Sequence, residues 1–272
     1  MIGTSISVTF TVDYPITFST WVGRFVNRIV NEVLGDLGFN VPHSAREKPF
    51  TASPVLDGGR VVGRLIPGRV YFFRVSFICS LIDCSRAVDG FVKPEIRLST
   101  GEVLRVIGRD VRELGITVGV GGSRSVITWD VRYWPTTFIF RSHYITWPSS
   151  ARFLSSAAQT LSRLLKGGEA LIDKNGETLA GILNEVDLKG FVKELTFNTE
   201  VIEARVRELD LNLGRGRRVP AFEGVAKYVT YTERPGLFRL LLDIANAYGV
   251  GKNRALGLGY VSAEVVEQRQ LR

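Results

Sequence analysis

The sequence predicts an α+β fold made of two successive β-α-β-β-α-β units, and three observations predict it. Residues 4–12 alternate apolar and polar side chains and lead into an amphipathic stretch that ends near Gly38. A glycine- and valine-rich segment at 115–125 interrupts the pattern. The pattern then restarts, with an aromatic-rich strand region at 125–144 and helices opening near Ser149 and Pro235. A period of two marks half-buried strands, and a period of 3.6 marks helices with one buried face.

On the first strand Ile6, Val8, Phe10 and Val12 share one face, with serines and threonines on the other. Ser19 or Thr20 is placed to cap a helix with the apolar stripe Trp21, Val22, Phe25, Val26, Ile29, Val30, Val33 and Leu37. Gly38 is placed to end it. Residues 50–55 and 69–78 read as strands, with Asp57-Gly58-Gly59 supplying turn chemistry between them. A short helix near 80–88 and a strand at 102–107 complete the first unit.

In the second unit Trp129, Val131, Tyr133, Phe138 and Phe140 mark strands. Ser149 and Ser150 precede a helix carrying Phe153, Leu154, Ala157, Ala158, Leu161 and Leu165, closed by Gly167. Residues 190–197 and 221–232 read as strands. Pro235 fits the first turn of a helix through Leu237, Leu241, Ile244, Ala245 and Tyr248, where its missing N–H is not needed. Gly249 ends that helix, and 258–266 is the last strand. The result is a tandem ferredoxin-like (RRM-like) arrangement, with domains expected at 1–122 and 123–272. Each unit is expected to bury one sheet face under two helices and leave the other open.

The chain has 272 residues, enough for two such cores. No apolar run reaches the roughly eighteen residues of a membrane span. The start, Met-Ile-Gly-Thr-Ser-Ile, lacks a basic region followed by an apolar one, so a cytoplasmic protein without a membrane partner is expected. Only Cys79 and Cys84 are present, without zinc spacing; buried free thiols are expected, with a disulfide as the alternative. With two histidines and no Cys/His/Asp cluster, neither a metal nor another cofactor is expected.

The formal charge of +8 favours polyanions, and its placement says more than its total. Arg215, Arg217 and Arg218 are interleaved with Gly214 and Gly216, as in a basic hairpin. Gly249, Gly251, Gly257 and Gly259 surround Lys252, Asn253 and Arg254. Glycine lets backbone adopt positive φ and lets a bulky ligand approach the amides. A Walker loop is excluded, because Asn246 stands at its first glycine position and Asn253 at its Ser/Thr position. A dinucleotide fingerprint is excluded too, since this run closes a helix and opens a strand.

Three segments carry a family resemblance. They are the glycine run 249–259, the stretch Val219-Pro-Ala-Phe-Glu-Gly-Val-Ala-Lys-Tyr228 with its Phe-x-Gly pattern, and His43-Ser-Ala-Arg-Glu-Lys-Pro-Phe-Thr51. With them the chain resembles the CRISPR-associated endoribonucleases of the RAMP superfamily, which cut repeat RNA into guide RNAs. The resemblance implies metal-independent cleavage by the neighbouring ribose 2′-hydroxyl, leaving a 2′,3′-cyclic phosphate and a 5′-hydroxyl. It also implies CRISPR repeat RNA, precursor and processed, as the partner, with a homodimer and effector-complex subunits as further partners. A RAMP subunit that holds guide RNA without cutting is the alternative.

Such a reaction needs a base, an acid and positive charge on the phosphorane. His43 is the candidate acid or base, since a histidine near its ordinary pKa of about 6.5 exchanges protons near neutrality. Lys48 is the candidate for charge neutralisation, with Arg46 as a substitute; a solvated loop is the other reading of all three. Some family members carry a tyrosine in the first helix. None lies between Trp21 and Leu37 here; Arg24 or Arg28 on the polar side of that helix is a candidate source of positive charge in its place, with simple solvation of the exposed face the favoured reading of either alone. Arg215, Arg217, Arg218 and the whole glycine run 249–259 are the candidate RNA contacts. His143 is expected to be a packed structural histidine, and Trp129, Trp134 and Trp147 to be chiefly core residues, with stacking on unpaired bases as the alternative.

Overall fold

The structure is a computed structural model that describes residues 3–42, 48–114, 123–166 and 187–271. The chain runs β1 (Gly3–Val12), β2 (Ile16–Thr17), α1 (Gly23–Asp36), β3 (Phe50–Ala52), β4 (Leu56–Asp57), β5 (Arg60–Val61), β6 (Arg64–Leu65), β7 (Tyr71–Ile78), α2 (Cys84–Asp89), β8 (Glu95–Arg97) and β9 (Val103–Leu114). It continues with β10 (Ser125–Thr136), β11 (Phe138–Phe140), β12 (His143–Ile145), α3 (Ser150–Lys166) and α4 (Leu188–Phe197). Last come β13 (Thr199–Asn212), β14 (Arg218–Thr232), α5 (Pro235–Tyr248) and β15 (Val261–Gln270).

Both halves have the antiparallel ferredoxin-like strand order. In the first, β1 lies between β7 and β9, and β3 pairs on β7. In the second, β10 lies between β14 and β15, with β13 at the edge beyond β14. The expected segment boundary at 115–125 falls mostly on residues 115–122, outside the described residues, as does Gly167.

α1 forms because its stripe buries Phe25, Val26, Ile29, Val30, Val33 and Leu34 on the first sheet. Ser19 and Thr20 do not cap it. Val22 is the N-cap residue and offers no side-chain bond, so the start is fixed instead by buried Trp21 and Val22. Gly38 does end it, with φ +80 and with Phe39 N–H donating back to the Leu34 carbonyl. Pro235 opens α5 and Gly249 closes it, as the sequence indicates.

Two further expectations change. Residues 190–197 belong to a helix, capped by Asp187, whose carboxylate accepts from Gly190 N–H, with Phe191 and Leu195 buried one turn apart. The strand is β13, which follows it. Cys79 and Cys84 form a disulfide, because a turn in which Leu81 N–H donates to the Ile78 carbonyl returns the chain toward α2.

The first sheet does not present an open face at its centre. Ser5, Ser7 and Ser76 are buried beneath the second half. Ser76 Oγ donates to the Ala247 carbonyl, the Tyr248 hydroxyl donates to the Phe77 carbonyl, and Arg74 lies over the Tyr260 ring. Leu213, Val219 and Leu258 also pack into the core of the first half. The two halves therefore interlock around the last helix and the turn after it. Among the described residues no helix is long and apolar enough to cross a membrane.

Candidate nucleic-acid cleft

The turn after α5 is built to fit between α1 and α3. Gly249, Gly251, Gly257 and Gly259 all have positive φ. A Cβ on Gly259 would lie 1.8 Å from the Val250 carbonyl oxygen, and one on Gly257 would lie 2.9 Å from Gly23 Cα. Only glycine closes this path. Gly249, Gly257 and Gly259 are consequently buried, and none lines the cleft described below.

Hydrogen bonds pin the turn from both sides. Trp21 Nε1 donates to the Leu256 carbonyl at 2.7 Å, and Asn27 Nδ2 donates to the Ala255 carbonyl at 2.9 Å. Gly251 N–H donates to Ser156 Oγ at 2.8 Å, and Lys252 N–H to the Thr137 carbonyl at 3.0 Å. The amides of Val250, Leu256, Gly257 and Gly259 are also engaged within the chain. The turn therefore offers a ligand its side chains more than bare amides.

Those side chains line a cleft of about 740 Å³ between the two halves. α1 contributes Asn27 and Asn31, and the chain entering β3 contributes Lys48. α3 contributes Arg152, Ser155, Ser156, Gln159 and Arg163. Arg217 comes from the β13–β14 turn, and Lys252, Asn253 and Arg254 from the glycine turn. Among the described residues no Asp or Glu lines the cleft. Elsewhere many arginines are ion-paired, among them Arg97, Arg105 and Arg112. Lys48, Arg152, Arg217, Lys252 and Arg254 have no ion pair among the described residues.

Arg254 Nη1 donates to Thr160 Oγ1 at 2.6 Å and to the Gly249 carbonyl at 3.3 Å, tying α3 to the turn. Burial, with the nearby Arg163 charge adding to it, pushes its pKa down to about 10. It remains protonated at neutral pH, so two guanidiniums that disfavour each other share one wall. An anion between them relieves that cost. Lys48 Nζ donates to the Pro42 carbonyl, and partial burial holds its pKa below the ordinary lysine value.

The predicted residues divide clearly. Lys48, Arg217, Gly251, Lys252, Asn253 and Arg254 meet at this cleft. Arg217 Nη2 reaches Asn253 Oδ1 at 3.4 Å. Arg215 is exposed at the tip of its turn, and Arg218 pairs with Asp210 at 3.0 Å. Arg28 is turned to Glu102 and does not line the cleft. His43 and Arg46 lie outside the described residues, a few positions before Lys48. His143 is exposed on β12, contrary to the packed role expected of it. Trp129 is fully buried, Trp134 half-buried and Trp147 53% exposed.

The polar side of α3 was not anticipated, although its signal was in the chain. Arg152, Ser155, Ser156, Gln159 and Arg163 recur at 3, 4, 7 and 11 positions, which is one face of a helix opposite the apolar stripe.

Residues 132–261, which include the glycine turn and α3, match the family described as CRISPR-associated endoribonuclease Cas6. Among solved structures the chain is similar to a Cas6 product complex, with TM-score 0.65, 19% identity, and 97% of this chain and 100% of the other covered. It is similar to a Cas6 substrate-mimic complex with TM-score 0.60 and 16% identity, covering 97% and 100%. It is also similar to Thermus thermophilus Cas6 with TM-score 0.61 and 15% identity, covering 97% and 98%. No curated protein matches the chain. Residues 132–261 thus resemble the family of the CRISPR-associated endoribonuclease Cas6, and the chain as a whole has the fold of solved proteins of that name.

Proposed function

We propose that the protein is an endoribonuclease that binds CRISPR repeat RNA in the cleft between its halves and cuts it there to release guide RNAs. The observation that carries this reading is the cleft wall itself, where lysines and arginines from both halves converge and, among the described residues, no carboxylate lines it. Such a surface takes a polyanion and takes little else. The match of residues 132–261 to the Cas6 endoribonuclease family and the product and substrate-mimic complexes of similar fold support repeat RNA as that polyanion.

In this reading the ribose 2′-hydroxyl beside the scissile phosphate attacks phosphorus, and the 5′-oxygen leaves. The products are a 2′,3′-cyclic phosphate and a 5′-hydroxyl. His43 exchanges the proton, and the Lys48 ammonium stabilises charge on the phosphorane oxygens. Arg163, Lys252 and Arg254 hold the flanking phosphates, and the splayed strand presents the 2′-hydroxyl in line. Lys48 supports this assignment because it already faces the cleft, five residues after His43.

The test is to incubate the purified protein with repeat RNA in EDTA and analyse the ends of the products. One cut per repeat with cyclic-phosphate ends supports the reading. Tight binding without a cut assigns the protein instead to the RNA-holding class.

A further inference from the structure

We propose that the hairpin β11–β12, at the rim of the cleft, is a stacking site for an unpaired nucleotide of the RNA. The inference rests on the RNA-binding reading above and adds a second contact to it. β11 and β12 pair Phe138 with Ile145, Ile139 with Tyr144 and Phe140 with His143. Phe138 and Ile139 line the cleft, so the hairpin grows directly from its wall. Its outer part is aromatic and open, with Phe140 44% and Tyr144 39% exposed, and Trp147 follows at 53%.

Two guanidiniums meet the Phe140 ring, Arg152 of α3 with Cζ 4.3 Å from the ring centroid and Arg141 at 5.4 Å. Neither has a carboxylate partner among the described residues. Holding a cation on a ring orients it without cancelling its charge. The guanidiniums thus remain available to a phosphate while the exposed parts of the Tyr144 and Phe140 rings are offered to a base. This pairing of stacking surface and fixed positive charge suits a single-stranded nucleotide, whose base is free to leave its own stack. A paired helix keeps its bases inside and makes no use of the rings. The tip residues Arg141 and Ser142, at φ +45 and +70, fold the hairpin back tightly enough to bring Arg141 over Phe140.

The experiment is fluorescence anisotropy with repeat RNA blocked against cleavage, used single-stranded and annealed to its complement. Phe140→Ala and Tyr144→Ala are expected to weaken single-strand binding about tenfold each and leave duplex binding unchanged. Tyr144→Ala removes an exposed ring, and it decides the matter if Phe140→Ala lowers the melting temperature. Single-strand affinity within twofold of wild type for Tyr144→Ala, with Lys252→Ala still weakened, overturns the hairpin site and leaves the cleft reading standing. Equal losses on both RNA forms also overturn it. A wild-type protein that binds neither form overturns both readings.

Discussion

The Trp21 indole and the Leu256 carbonyl, 2.7 Å apart, join the start of the first helix to the last turn of the chain across 235 positions of sequence. That bond explains why α1 starts where it does without a side-chain cap. Trp21→Phe keeps the ring and loses the donor, leaving a half-buried carbonyl unpaired. The expected cost is about 1–2 kcal/mol in urea denaturation, with weaker RNA binding as the turn loosens.

Gly259 and Gly216 have nearly the same positive φ, +76 and +73, and different surroundings. A Cβ at Gly216 meets nothing, whereas one at Gly259 runs into the Val250 carbonyl. Gly216→Ala is expected to cost only about 1 kcal/mol of backbone strain. Gly259→Ala costs at least about twice that, because backbone must move. Paired denaturation curves check the contrast.

Lys252 and Arg217 reach the cleft from separate turns, with no ion pair to break among the described residues. Replacing either with Ala is expected to lower the slope of log affinity against log salt by about 0.7–0.9, one phosphate contact each. A salt titration of wild type and both variants measures it. Arg218→Ala, whose charge is already met by Asp210, is expected to leave the slope nearly unchanged.

Lys48 carries a pH signature. Burial favours its neutral form, so its folded pKa lies below the unfolded value. As pH rises through that lowered pKa the cleft loses a positive charge before a free lysine would lose one, and RNA affinity falls. Stability moves the other way. The unfolded chain binds more protons across that window, so stability rises with pH there. Lys48→Arg is expected to hold affinity to higher pH, measured with RNA carrying 2′-O-methyl groups that prevent hydrolysis.

Much of this architecture was legible because burial leaves a period. β1, α1 and α5 each commit one face to a core, and their stripes or alternation survive in the chain. β13 commits almost nothing. It is an edge strand whose exposed Glu200, Glu203, Arg205, Arg207 and Asp210 mask any alternation, as suits an edge that must not pair with other chains. The short helix before it was misread because Phe191 and Leu195 are too few to show a helical period against neighbouring apolar residues. At the cleft, Lys252 and Arg254 stood out beside glycines, while Arg152 and Arg163 were hidden on the polar side of a helix that looks solvated in sequence. Buried glycines and ligand-facing ones are alike in a sequence; only the packing of Gly257 and Gly259 distinguishes them.

The central claim is that RNA sits between the two halves and not on the basic surface at large. Its most direct measurement is repeat-RNA affinity after single charge reversals inside and outside the cleft. Lys252→Glu on the glycine turn and Arg152→Glu on α3 are expected to weaken binding more than about tenfold each, while Arg269→Glu on β15 stays within about twofold. Equal, small losses at all three positions would contradict it.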